Sequence, residues 1–272
     1  MSKEITIIKP KSGLIPIDFK EIWEYRELFR AFATRDIKVK YKQTILGALW
    51  AIIQPLTQMV IFSFFFGKLA KIPSDGVPYP IFSYSGLLLW NFFSSSLSGA
   101  SNGVLTYAGI FNKIYFPKVI IPAVSTIVFF LDYIIAFIIL FFLMAYYKFP
   151  ITINLIFIPL ILISTWLLAI GIGFWLSSFN YKYRDIRYAL PFFIQLLIYI
   201  TPVIYPASVA GQFEWLVNLN PMTGYIETHR ALILGLPIKY NQLVISFIFS
   251  AITLISGMYF FKSTEKKIAD IV

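Results

Sequence analysis

No cysteine occurs anywhere in the 272 residues, which removes any disulfide framework and any thiol-based metal site or nucleophile. One histidine, His229, is all the imidazole available, so a multi-histidine metal centre within one chain is excluded and no metal site is expected. Charge is scarce too, at 13% of residues against about 25% in ordinary soluble domains. The acids between apolar runs are sparse and isolated, so the clustered carboxylates or nucleotide-sugar site of a membrane glycosyltransferase are missing. Asp132 is the one acid inside an apolar run, thin support for an ion-coupled transporter. No G-x-x-x-x-G-K-[ST] phosphate loop is found; Gly67-Lys68 is followed by Leu69 and fails the pattern. Residues 1–20 have no apolar core of a signal peptide, so none is expected. The first membrane helix is expected to act as its own insertion signal.

What fills the chain instead is apolar surface: 58% of residues are hydrophobic and 19% aromatic. A helix needs about 20 apolar residues to cross a bilayer. Runs of that kind are expected to span at about 45–69, 81–105, 119–146, 153–179, 188–205 and 243–261. The fold class that follows is all-α integral membrane, with six spans in one domain (35–272) after a segment at 1–34.

The net charge of +10 is distributed against a nucleic-acid face. Eighteen of the 23 Lys and Arg lie before residue 45, in the turns at 112–122 and 180–187, or after 261; the other five are Lys68, Lys71, Lys148, Arg230 and Lys239. Cations collect on the cytoplasmic side of membrane proteins, so both termini are expected inside. The densest cluster, Arg35, Lys38, Lys40 and Lys42, abuts the first span directly and sets its direction.

Upstream, Asp18 and Glu21 form a capping-box pattern, with Ile17 and Ile22 placed as its hydrophobic staple. The helix that follows carries Ile22, Tyr25, Phe29 and Phe32 on one side and mostly charged residues opposite, with Trp23 and Arg26 in its opening turns. It is too polar to span and is expected to lie in the cytoplasmic membrane interface, against lipid, the alternative being a small soluble helix packed on another element. Gln54, Pro55 and Gln58 interrupt span one; amides at that depth face protein or water. Ser95, Gly99 and Gly103 recur at four-residue intervals in span two, which permits close helix approach within one subunit or between two. Gly171 and Gly173 in span four read as packing residues. Asp132 reads either as a functional group or as a structural hydrogen-bond partner within the bundle.

Two strings are distinctive. One is RDIKVKYKQTILGALWAIIQP at 35–55; the other is YRDIRYALPFFIQLLIYITPVIYP at 183–206. Both resemble permease subunits of type-2 ABC exporters, in the branch that exports lipid-linked O-antigen, capsule or teichoic-acid chains.

That resemblance implies a homodimer working with two copies of a separate ATPase subunit that binds ATP and magnesium, and no cofactor in this chain. It implies a bacterial inner-membrane location and a lipid-linked polysaccharide as substrate. The alternative within the class is a permease for a smaller lipid, glycolipid or drug. The turn from Asn112 through Lys113, Ile114, Tyr115, Phe116 and Pro117 corresponds to a loop that contacts the ATPase. Its three bulky apolar residues at a cytoplasmic turn suit either docking into a groove or dipping into the membrane interface. Tyr183, Arg184, Asp185 and Arg187 form the second turn that such a partner can grip. Short re-entrant helices are implied between spans five and six, with Pro221 near the start of one. A conduit for sugars should offer aromatic faces and hydrogen-bonding groups with little fixed charge. Gln54, Gln58, Phe192, Gln195, Tyr199 and Tyr205 are the candidates to line it.

Overall fold

A computed structural model describes residues 19–42, 46–111, 113–183 and 185–271. Among them every regular element is helical, in keeping with backbone that must satisfy its own hydrogen bonds away from water.

The amphipathic segment forms two pieces, α1 (Phe19–Glu24) and α2 (Arg26–Lys42). Asp18 and Ile17 lie outside the described residues, so the capping box does too. α2 runs straight through the boundary expected at 34/35, because the basic residues that follow are good helix formers with no Gly or Pro among them. A 3-10 turn at Gly47–Leu49 then leads into α3 (Trp50–Phe62), which loosens into a π-helical stretch at Ser63–Leu69.

α4 (Tyr79–Phe111) is the centre of the bundle. Its 33 residues extend past the span expected at 81–105, and residues 81–90 are all buried. It packs against α3, the short helix α5 (Ile120–Val124), α6 (Ile127–Tyr146) and α7 (Ile158–Lys182). α5 and α6 together occupy the expected third span, offset at Ser125–Thr126, where the Thr126 hydroxyl donates back to the Ala123 carbonyl at 2.7 Å and accepts from the Trp166 indole at 2.7 Å.

α8 (Ile186–Ile200) stops five residues before the expected end of span five. Thr201 precedes Pro202 and is extended (φ −89°, ψ 139°), as the clash with a following proline ring demands. After a 3-10 stretch at Ala207–Phe213 come α9 (Glu214–Leu219) and α10 (Pro221–Leu234), then α11 (Tyr240–Ile271). Pro221 does open α10; the Asn220 side chain caps it by accepting from the Met222 amide at 3.0 Å, and Gly235 closes it at φ 70°.

Gly47–Leu69, Ile120–Tyr146, Ile153–Asn180 and Tyr240–Glu265 are each long and apolar enough to cross a membrane. α8 is apolar but only 15 residues long. α4 has the length, but Ser, Asn and Gly recurring along its second half dilute its hydropathy.

Candidate coupling and conduit surfaces

At the end of the bundle where the basic residues gather, α2 lies across α4 and the turn that follows it. Phe32 is buried with its ring edge-on to Tyr107 (4.9 Å) and Phe116 (5.7 Å). Arg35 stacks over Tyr107 and donates to Asp36 at 2.9 Å, and the Tyr107 hydroxyl donates to the other Asp36 oxygen at 2.6 Å. Tyr25 and Phe29 line the same cluster, while Trp23 is 71% exposed with the Arg26 guanidinium over its ring.

The turn does not present three apolar knobs. Phe116 is 3% exposed and belongs to the cluster formed with Phe32 and Phe111, so its expected docking role is corrected to a packing role. Pro117 is buried beside it. Ile114 and Tyr115 point outward, at 44% and 68% exposure, with Lys113 exposed before them. The Tyr115 hydroxyl donates to Glu21 of α1 at 3.3 Å; partial burial first, then the Glu21 carboxylate, pushes its phenol above the ordinary range. The Lys118 amide donates to Glu265 near the end of α11 at 3.1 Å. Four elements therefore meet at this turn. Asn112 and Arg184 lie outside the described residues. Tyr183, Asp185 and Arg187 are exposed on the turn between α7 and α8.

The conduit candidates divide. On α8, Tyr188, Phe192, Gln195 and Tyr199 fall at steps of four, three and four residues and are all exposed, which makes one aromatic face with an amide in it. Tyr205 is not on that face: it is half-buried, and its hydroxyl donates to the carbonyls of Tyr199 (3.0 Å) and Ile200 (3.1 Å), closing the end of α8. Gln58 turns toward α4, where it accepts from the Asn91 amide at 2.9 Å. Gln54 is exposed and borders a cavity of about 140 Å³ between α3, α4 and α6.

Asp132 has two partners from α2. One oxygen pairs with Lys40, whose ammonium also lies over the Phe129 ring, and the other accepts from Tyr41 at 2.7 Å. Both partners come from the preceding helix rather than from the spanning bundle.

A second polar knot, centred on Arg230, was not singled out by the sequence reading. Arg230 is 2% exposed. It donates to Glu227 at 2.8 Å and to the carbonyls of Pro202 (3.2 Å) and Val203 (2.9 Å), and stacks 3.8 Å from the centre of the Phe82 ring. Next to it, His229 shares a 2.6 Å hydrogen bond with Tyr133. The signal available was Glu227 and Arg230 three residues apart in an otherwise uncharged helix.

These features define a multi-pass helical membrane protein with an exposed aromatic face on α8 and a cluster of cations along α2. The chain belongs to the ABC-2 type transporter family, whose profile matches residues 27–234. It is 28% identical over 248 residues to the O-antigen export system permease protein RfbA of Klebsiella pneumoniae, covering 90% of this chain and 95% of that one. The RfbA of Myxococcus xanthus is 24% identical, over 78% of this chain and 82% of its own. The polysialic acid transport protein KpsM of Escherichia coli is 22% identical, over 87% and 93%.

Proposed function

We propose that this chain is the membrane subunit of an ATP-driven exporter that moves a lipid-linked polysaccharide across the bacterial inner membrane. The observation that carries the reading is the exposed face of α8 with Tyr188, Phe192, Gln195 and Tyr199, on a chain whose relatives are named for O-antigen export and polysialic acid transport. Flat aromatic rings take the C–H faces of sugars, and an amide takes their hydroxyls. No fixed charge interrupts the face.

A conduit needs walls on all sides, and one copy leaves α3 unusually bare. Only 11% of the most apolar part of Gly47–Leu69 is buried, against 28% for Ile120–Tyr146 and 50% for the stretch containing α7, with Tyr240–Glu265 next at 17%. A second copy covering α3 and facing α8 would close the conduit, so the working unit is a homodimer. Phosphate chemistry belongs to a separate ATPase subunit, which grips Lys113, Ile114 and Tyr115 together with the α7–α8 turn. Its motion enters through Phe116 and α2. The cation distribution supports a six-span arrangement with both termini inside.

Disrupting the gene tests the reading. Surface polysaccharide should be lost while its lipid-linked form accumulates in the cell, and a plasmid copy should restore it. Normal surface glycan in the disrupted strain contradicts the proposal.

A further inference from the structure

One face of α4 carries a line of polar side chains that the conduit does not use. Asn91, Ser95, Ser98, Asn102 and Thr106 follow one another at steps of four, three, four and four residues. At about 100° per residue these positions stay within about 80° of arc, and at about 1.5 Å per residue the line is about 22 Å long. Each of these residues is half-buried or exposed, on the helix that otherwise forms the buried centre.

The line is the floor of an open space. From Ser95 to Tyr107 it borders a groove whose facing walls are Asp36, Val39 and Lys40 of α2 with Val128 and Phe129 of α6. From Asn91 to Ser95 it borders the 140 Å³ cavity that Gln54, Trp50 and Asp132 close from the other side. Groove and cavity share Lys40, Ser95 and Phe129, so they form one lane. Gly99 and Gly103 keep its side low, although at both positions an added Cβ would strike α5 or α6.

Asn91 donates to Gln58 at 2.9 Å, Asn102 accepts from Asn180 at 3.1 Å and Thr106 donates to the Asn102 carbonyl at 3.1 Å. This leaves the Ser95 and Ser98 hydroxyls to face the lane, where an acyl chain would give them no partner. Its charges cancel in pairs: Lys40 with Asp132, and Arg35 with Asp36, which also accepts from Tyr107. What remains is neutral hydrogen-bonding capacity beside the rings of Trp50 and Phe129. That chemistry fits a neutral, hydroxyl-rich chain and gives an isolated phosphate no uncompensated cation.

We propose that this lane is a sugar-binding groove within a single protomer, and that it holds the glycan segment nearest the lipid before that segment reaches the conduit. The inference rests on the lipid-linked glycan reading above and adds a site to it.

The absence of cysteine makes the test direct. Single variants Ser98→Cys, Gln195→Cys and Ser263→Cys are purified with the ATPase in lipid nanodiscs and reacted with a small charged thiol reagent. The probe is the host's own lipid-linked glycan, extracted from its membranes; the same lipid carrier stripped of its sugar is the control. Ser98→Cys should react, and glycan at about four times its Kd should slow that reaction about fivefold. The sugar-free carrier should not slow it, and Ser263→Cys should be indifferent to both. Protection at Gln195 but not at Ser98 overturns the lane and leaves the export reading standing. Protection at neither overturns both. Equal protection of Ser98 by the sugar-free lipid overturns the assignment to sugar, and failure of Ser98→Cys to react shows the lane to be sealed and overturns it as well.

Discussion

Tyr115 and Phe116 are adjacent aromatics with opposite surroundings, and they separate two effects that a double substitution would merge. Tyr115→Ala removes an exposed ring and should leave the fold intact while weakening ATPase capture by about 2 kcal/mol, if the ring is an interface anchor. Phe116→Ala opens a hole beneath α2 and should cost about 3 kcal/mol of stability. Thermal unfolding in detergent beside a pull-down with the ATPase reads both; a Tyr115→Ala permease that captures the ATPase normally would remove this turn from the coupling surface. Arg230 is a different case. Replacing it with Met strands Glu227 and frees the Pro202 and Val203 carbonyls at the end of α8. Removing one partner of a buried ion pair costs about 3–5 kcal/mol, so the variant should unfold well below the parent in the same assay. An unchanged midpoint would mean that this knot does not hold α10 in place.

At the scale of elements, α7 and α11 are held by a backbone approach that side chains would forbid. A Cβ on Gly171 would lie 2.6 Å from the Leu254 amide nitrogen, and one on Gly257 would lie 2.3 Å from the Gly171 carbonyl oxygen. Gly171→Val should therefore sharply reduce the yield of folded permease, measured by gel filtration in detergent, whereas wild-type elution would show that the crossing can widen. That Gly171 packs was legible, because a glycine pair in an unbroken apolar run has little other use. The amphipathic start and the Pro221 helix were legible for similar reasons of period and local chemistry. The facing of Tyr115 and Phe116 was not: a turn has no period, and only the position of α2 decides which ring is covered. Gln58 and Tyr205 misled for a related reason, since their polar atoms serve Asn91 and the end of α8. The line from Asn91 to Thr106 was present in the spacing, but Ser95, Gly99 and Gly103 draw attention to size rather than to hydrogen bonding. Asp132 could be seen to need partners, yet Lys40 and Tyr41 lie some ninety residues away.

Taken as a whole molecule, the chain puts the proposed docking turn at the basic end and its aromatic face along α8. Topology links the two. Cysteines placed at Ser74 and Gln212 should react with an impermeant thiol reagent added to whole cells, and one at Ser263 should not; labelling of Ser263 from outside would reverse the arrangement on which the ATPase contact depends. The central claim is that this arrangement moves a lipid-linked glycan only with ATP hydrolysed by a partner. The most direct measurement reconstitutes the permease and its ATPase in sealed vesicles, ATPase outward, with the host's lipid-linked glycan in the outer leaflet. Glycan should become inaccessible to an added glycosidase when ATP is supplied, and should stay accessible without ATP or without either subunit. Protection that appears with the permease alone, or no protection in the complete system, would contradict the account.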